Sequence, residues 1–149
     1  MSIKITGIIA AMMMICLSCQ NNKAVEKIDP ETYISKQVSE LFNKQSICYS
    51  DIIILPGTGC SGCITNAEVF LKNNYQNTDY YFILTNITSM KLLNAKIGVN
   101  LSQNSNVFID EENTFSSYES AIYPVRVNYS CDDHLPISVH FQKPGNHVF

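Results

Sequence analysis

The 149-residue sequence lacks the features that identify a membrane-spanning or nucleic-acid-binding chain. Its longest uncharged apolar run, Ile5 to Leu17, is well short of the ~20 residues that a transmembrane helix needs. No run of lysine and arginine is interleaved with aromatic residues, and the formal net charge is −3, so nucleic acid is not an expected partner. A phosphate-binding glycine loop and the residue pattern of a serine hydrolase are also missing, which argues against nucleotide binding and acyl transfer.

The first residues have the organisation of an export signal. Lys4 gives a positive start, the apolar run follows, and Leu17-Ser18-Cys19 places a small residue before a cysteine. This order resembles the lipobox of bacterial lipoproteins, with Cys16 where leucine is usual. It implies a signal peptide over 1–18 and lipid attached to Cys19. The alternatives are a secreted protein cleaved near residue 18 and an uncleaved anchor.

Removal of the signal would leave one mature domain. Residues 19–28 are mostly polar and are predicted to form a flexible tether between the lipid and a domain at 29–149. The mature chain carries nine lysines and arginines, which are the ten of the whole chain without Lys4, against thirteen acids, so its net charge is −4. A domain of about 130 residues is long enough to bury a core of its own.

Two cysteines separated by two residues, Cys60 and Cys63, are the strongest functional signal in the sequence. They follow an apolar run at 52–55 and a glycine-rich turn at 56–59, and they precede apolar residues at helical spacing over 64–71. The pair therefore lies where a strand ends and a helix begins. Free N–H groups at a helix N-terminus stabilise a thiolate, the reactive form of cysteine. This arrangement predicts a redox dithiol in which Cys60 is the nucleophile and Cys63 resolves the mixed disulfide.

The hydrophobic patterns predict an α/β order of elements. Helices are expected at 30–45 (with Asp29 as N-cap), from Cys63 to about Asn74, and from Thr88 or Ser89 to Gly98. Strands are expected at 51–55, 80–84, 107–109, 125–129 and 137–141, and the acids at 110–112 are expected to form a solvated turn. The first two strands form a right-handed parallel βαβ unit and the last two an antiparallel hairpin. The prediction is a layered α/β protein with one mixed sheet.

This order resembles the thioredoxin fold, because the CxxC lies between a strand and a helix and Ile122-Tyr123-Pro124 opens a later strand. The chain is similar, over roughly residues 50–142, to the membrane-tethered, TlpA-like thiol-disulfide oxidoreductases of the bacterial envelope. The resemblance implies a thioredoxin-like mixed sheet flanked by helices and truncated at the C-terminal helix. It also implies a cis-proline at Pro124 that, with the backbone of Tyr123, flanks the substrate chain beside the dithiol. Gly59 stands where the family has tryptophan, and the residues between the cysteines are Ser-Gly.

Four cysteines remain once the signal and the lipid site are set aside: Cys48, Cys60, Cys63 and Cys131. Four cysteines allow three connectivities, and local pairing of the CxxC leaves the other two as partners. In the resembled fold the CxxC strand and the strand after the proline are antiparallel neighbours. If Leu55 lies opposite Pro124, then Cys48 lies opposite Cys131, within disulfide distance. The resemblance thus implies a structural Cys48–Cys131 disulfide beside the redox Cys60–Cys63 pair.

Two other interpretations of the dithiol stay open in the sequence. One is a non-catalytic surface or binding lipoprotein in which Cys60–Cys63 is a structural disulfide. The other is a Cys2His2 metal site with His134 and His140, but these histidines lie about 70 residues on, far from the ~12-residue spacing of a compact finger. The redox interpretation needs no metal or cofactor. Its expected partners are exported protein thiols and disulfides, and a membrane redox partner.

Overall fold

The computed structural model describes residues 28–43, 48–118 and 121–149. Three α-helices lie in this part of the chain: α1 (Pro30–Phe42), α2 (Ser61–Asn74) and α3 (Met90–Ile97). Five strands accompany them: β1 (Asp51–Pro56), β2 (Tyr80–Thr85), β3 (Val107–Asp110), β4 (Val125–Ser130) and β5 (Leu135–Phe141). The predicted signal peptide at 1–18, the lipid site at Cys19 and the tether up to residue 27 lie outside the described residues.

Local side chains set the ends of the helices. The Asp29 carboxylate accepts a hydrogen bond from the backbone N–H of Thr32 at 3.0 Å, and Pro30 follows it at the start of α1. α3 begins after Ser89, which caps it through its hydroxyl, and ends at Gly98 in the left-handed conformation. These predicted caps are confirmed. The prediction for α1 is too long, since the helix ends at Phe42 and not near residue 45.

The sheet has the strand order β3-β2-β1-β4-β5, so β1 lies at its centre. β1 pairs parallel with β2 and antiparallel with β4, and β4 and β5 form the expected antiparallel hairpin. Ile54 lies opposite Val125. This is the predicted register, because in antiparallel strands the residue after Ile54, Leu55, is then opposite the residue before Val125, Pro124. The architecture is a thioredoxin-like α/β fold with a mixed sheet between helices.

The central strand is buried on both faces, and this explains its run of isoleucines without alternation. Ile52 and Ile54 face α1, whereas Ile53 and Leu55 face α2 and α3. The α1 side also holds a cluster of aromatic rings formed by Phe42, Tyr49, Tyr81 and Tyr129. Burial in this cluster raises the pKa of Tyr49 and of Tyr129. The helix before β1 therefore provides the cover for one whole face of the sheet.

β4 is buried on alternate residues only, as its sequence predicts. Its second face is crossed by residues 142–149, which contain no helix. Arg126 of β4 donates a hydrogen bond from Nη1 to the carbonyl of Val148 at 3.3 Å. Phe149 packs on Phe70 of α2, with ring centroids 5.4 Å apart. Residues 142–149 thus cover the polar face of β4 and contact α2.

The Cys48–Cys131 disulfide joins the segment before β1 to the turn after β4. Its Cα atoms are 5.6 Å apart and its residues are separated by 83 positions in the sequence. The predicted pairing is confirmed, and it follows from the register of β1 and β4. Because the closed loop is long, the bridge removes much conformational freedom from the unfolded chain.

Replacing both bridge residues (Cys48→Ala with Cys131→Ala) is expected to lower the free energy of unfolding by roughly 3–4 kcal/mol, through the entropy that the unfolded chain regains. Urea denaturation followed by circular dichroism measures this loss. The matched control is Cys60→Ala with Cys63→Ala, which opens a loop of separation 3 and is expected to lose about 2 kcal/mol. Equal losses in the two variants would contradict the loop-closure explanation.

Candidate active site: a dithiol at a helix N-terminus

Cys60 and Cys63 lie where the loop after β1 enters α2. Cys60 is the N-cap residue with an extended backbone, and its carbonyl accepts the backbone N–H of Ile64 at 2.9 Å. No side-chain cap hydrogen bond is made by Cys60. The N-cap position places its sulfur beside the N–H groups of the first helical turn, where the helix dipole favours negative charge. The predicted position of the pair between a strand and a helix is confirmed.

The two cysteines form a disulfide with Cα atoms 5.3 Å apart, and they differ in exposure. Cys63 is only 4% exposed, one turn into the helix, whereas Cys60 is half-buried. The intervening Ser61 and Gly62 are exposed, so solvent reaches the Cys60 side of the pair. A visiting sulfur therefore meets Cys60 first, which fits the predicted order of attack.

The loop before the dithiol is fixed by the loop after β2. Gly57 donates its N–H to the carbonyl of Thr85 at 2.9 Å. A Cβ at this glycine would lie 2.4 Å from the carbonyl oxygen of Asn86, so a larger residue does not fit there without movement. The Asn86 side chain donates to the hydroxyl of Thr58 at 2.8 Å, and its backbone N–H donates to the Asn113 side chain at 2.8 Å. Three loops are thereby joined at one edge of the sheet.

A buried carboxylate at the end of β3 completes this support. Asp110 is 5% exposed and accepts three hydrogen bonds: from the Thr85 hydroxyl at 2.7 Å, from the Thr114 N–H at 3.0 Å and from the Phe115 N–H at 2.8 Å. The prediction of a solvated turn at 110–112 is wrong for this residue, because Asp110 caps the short helical turn that follows it. Its oxygens are occupied by the fold, which makes its role structural.

The segment before β4 reaches the dithiol through the backbone of Ile122. Cys60 donates its N–H to the Ile122 carbonyl at 3.0 Å. The approach is close because Gly59 has φ +138°, and a Cβ on it would lie 2.3 Å from the same oxygen. The Ile122 side chain is 46% exposed. Sequence reasoning placed the correct segment beside the dithiol but missed this residue, since a backbone carbonyl leaves no mark in a sequence.

The predicted cis bond before Pro124 is wrong. Among the described residues no peptide bond is cis, so the Tyr123–Pro124 bond is trans. The expectation came from the resemblance, whereas X–Pro bonds in general are mostly trans. Pro124 is buried, and its carbonyl accepts the N–H of Gln142 at 2.8 Å, next to the β4–β5 ladder. Tyr123 lines a cleft of about 220 Å³ with the start of α1. The backbone contact with the dithiol comes from Ile122.

The two histidines of the metal alternative lie on the β4–β5 hairpin. His134 occupies the turn with φ +54°, and His140 is exposed on the edge strand β5. Within 28–43, 48–118 and 121–149, no group of three or more histidine, cysteine or acidic side chains is arranged to hold a metal ion. The geometry therefore gives the Cys2His2 alternative no support.

Comparisons of the chain with protein-family models, with curated proteins and with solved structures give no match. None of the helices in the described segments combines the length and the apolarity needed to cross a bilayer. Three features of the dithiol bear on its chemistry: the N-cap position of Cys60, the burial of Cys63 and the backbone contact from Ile122.

After reduction, Cys60 is expected to react with iodoacetamide at least tenfold faster than Cys63 near neutral pH, because it is the accessible sulfur at the helix end. The measurement is a time course of alkylation in native buffer, quenched with acid and resolved by peptide mass spectrometry. Unfolding in urea is the control and should make the two rates converge. Faster labelling of Cys63 in the native protein would overturn the assignment of roles.

Proposed function

We propose that this protein is an envelope lipoprotein whose thioredoxin-like domain exchanges thiols and disulfides with exported proteins. The observation that carries the proposal is the Cys60–Cys63 disulfide at the N-terminus of α2, in which Cys60 is half-buried beside exposed residues and Cys63 is buried. A bridge that serves stability alone gains less here than a long-range bridge does, because a loop of separation 3 restrains the unfolded chain less than the loop of separation 83 closed by Cys48–Cys131. The same position favours a thiolate on Cys60 once the bridge is reduced.

The exchange balances within the dithiol and its substrate. The Cys60 thiolate attacks one sulfur of a substrate disulfide, a mixed disulfide forms, and the other substrate sulfur leaves as a thiolate. The Cys63 thiol then loses its proton and attacks the Cys60 sulfur, which closes the Cys60–Cys63 disulfide and releases the second substrate sulfur. Two electrons pass from the dithiol to the substrate, which becomes a dithiol. The reverse sequence oxidises a substrate dithiol by the same intermediates.

The immediate surroundings of Cys60 suit a polypeptide substrate. Ile122, whose carbonyl accepts the Cys60 N–H, has an exposed apolar side chain that a bound polypeptide could contact, and Ser61 and Gly62 are exposed on the other side of Cys60. Tyr123 and Pro124 follow Ile122 in the chain and remain the proposed flank of the bound substrate. No metal or cofactor enters the proposed exchange.

The location follows from the sequence of the first residues. A signal at 1–18 and a lipid on Cys19 would hold the domain at a membrane of the bacterial envelope, through the polar tether. Exported proteins with disulfides are available there. A membrane redox partner would restore the dithiol or the disulfide after each exchange.

The reduction potential of Cys60–Cys63 is expected to fall in the range of exchange catalysts, about −120 to −270 mV. Equilibration with mixtures of reduced and oxidised glutathione, with alkylation and mass spectrometry of each cysteine, measures it. The Cys48–Cys131 bridge is an internal reference and is expected below about −300 mV. A value for Cys60–Cys63 well below about −300 mV would favour the rival function, a non-catalytic surface or binding lipoprotein with two structural disulfides.

Cys63→Ala is expected to accumulate mixed disulfides with exported proteins, because Cys60 then attacks a substrate but no second thiol releases it. Incubation with native envelope extract, followed by non-reducing electrophoresis and mass spectrometry, detects adducts that are linked to Cys60 and released by dithiothreitol. Cys60→Ala is the matched control, since its remaining thiol is buried. Equal adducts in both variants, or none in Cys63→Ala, would contradict the proposed exchange.

A further inference from the structure

The backbone on either side of the dithiol is held by one hydrogen bond that the exchange chemistry alone does not require. It joins the N–H of Cys60 to the carbonyl of Ile122 at 3.0 Å. At the same point a Cβ on Gly59 would lie 2.3 Å from the carbonyl oxygen, 2.7 Å from Cα and 2.8 Å from the carbonyl carbon of Ile122. Three backbone atoms of one residue thus occupy the space that any side chain at position 59 would need.

The conformation of Gly59 excludes a side chain independently of this crowding. Its φ of +138° lies in a region that residues with a Cβ rarely adopt. In the resembled family a tryptophan stands at this position, and here glycine lets the segment before β4 lie directly against the loop. Gly62, between the two cysteines, has open space around its Cβ position and an ordinary φ. Of the two glycines that flank Cys60 and Cys63 most closely, the requirement therefore falls on position 59, at its contact with Ile122, and not on position 62.

We infer that Gly59 and the Ile122 carbonyl form a backbone clamp that sets the redox equilibrium of the dithiol by fixing Cys60 at the helix N-cap. This inference rests on the proposed function of the dithiol. Ile122 and Gly59 are positioning residues, because they act through the backbone of Cys60 and not on a substrate. The term clamp denotes this hydrogen bond and the glycine contact around it.

The clamp acts on the reduced form of the protein more than on the disulfide. In the disulfide, the bond to Cys63 already restrains the Cys60 sulfur. In the dithiol, only the backbone of Cys60 determines where its sulfur lies relative to the N–H groups of the first turn. Fixing that backbone keeps the thiolate within the favourable field of the helix end, which stabilises the reduced form. A stabilised reduced form makes a dithiol more oxidising.

Gly59→Ala is therefore expected to shift the equilibrium with glutathione at least tenfold toward the protein disulfide, which corresponds to about 30 mV in reduction potential. It is also expected to raise the pH at which alkylation of Cys60 reaches half of its maximal rate. Both changes follow from weaker stabilisation of the Cys60 thiolate. Thiolate absorbance near 240 nm in the reduced protein, followed against pH, gives an independent measure of the ionisation of Cys60.

Gly98→Ala is the matched control. Gly98 also has a positive φ, of +92°, but it ends α3, and its Cβ position is open. The substitution costs stability by the same backbone strain, so it should lower the urea midpoint while leaving the potential and the alkylation profile unchanged. Equal shifts of potential in both variants, or none in Gly59→Ala, would overturn the clamp.

Hydrogen exchange at the Cys60 amide tests the clamp even when Gly59→Ala does not fold. The amide of the wild-type protein is expected to be protected in the oxidised and in the reduced state, because Ile122 accepts its hydrogen. Exchange at the rate of an unprotected amide would refute the clamp. The proposed function is judged separately by the wild-type potential and by trapping at Cys60, so failure of one proposal does not imply failure of the other.

Discussion

The antiparallel pairing of β1 with β4 is the contact on which both ends of the molecule depend. At one end of the pair, Tyr129 donates its N–H to the carbonyl of Ser50 at 2.8 Å, and the two strands continue to the Cys48–Cys131 bridge. At the other end, the ladder leads toward the dithiol. There the register changes, because Cys60 lies five positions after Leu55 whereas Ile122 lies only two positions before Pro124. The additional residues after Leu55 form the loop that leads to Cys60. Gly57 and Gly59 allow this loop to contact the backbone of Asn86 and of Ile122.

The second face of β4 shows how polar side chains and residues 142–149 cover this part of the sheet. The second face of β4 is polar, so a helix is not needed to bury it. Asp51 accepts hydrogen bonds from Arg126 Nε at 2.8 Å and from Asn128 at 2.9 Å, and Asn128 accepts from Ser138 at 2.9 Å. Partly exposed ion pairs contribute little stability. The network satisfies polar groups beneath residues 142–149, while the apolar side chains of β4 are buried on the α1 side.

Much of the fold is predictable from the sequence because its signals are local or periodic. Helix caps at Asp29 and Ser89, the apolar run of β1 and the alternation of β4 each report on a few neighbouring residues. The Cys48–Cys131 bridge is non-local, and it became predictable only because the resemblance supplied a register.

The misses concern contacts between segments distant in the sequence. Asp110 looks like part of an acidic turn until the loop hydrogen bonds that bury it are known. The isomer of the bond before Pro124 is not encoded in the X–Pro pair, and the cis form was expected only from the resemblance. Every residue has a backbone carbonyl, so the sequence does not single out the carbonyl of Ile122 as the one that accepts the Cys60 N–H. The sequence shows the glycine at position 59, but its contact with Ile122 is visible only in the structure.

The two disulfides differ in what their reduction does to the chain, and this difference assigns their roles more firmly than exposure does. Cys131 lies in an exposed turn, so access alone would allow either bridge to react. Reducing Cys48–Cys131 releases a loop of separation 83, so the loss of that bridge lowers the free energy of unfolding. Reducing Cys60–Cys63 releases a loop of separation 3 and creates a thiolate that the helix end stabilises. This asymmetry is what the proposed exchange requires, since it needs one pair that stays oxidised for stability and another that is free to cycle.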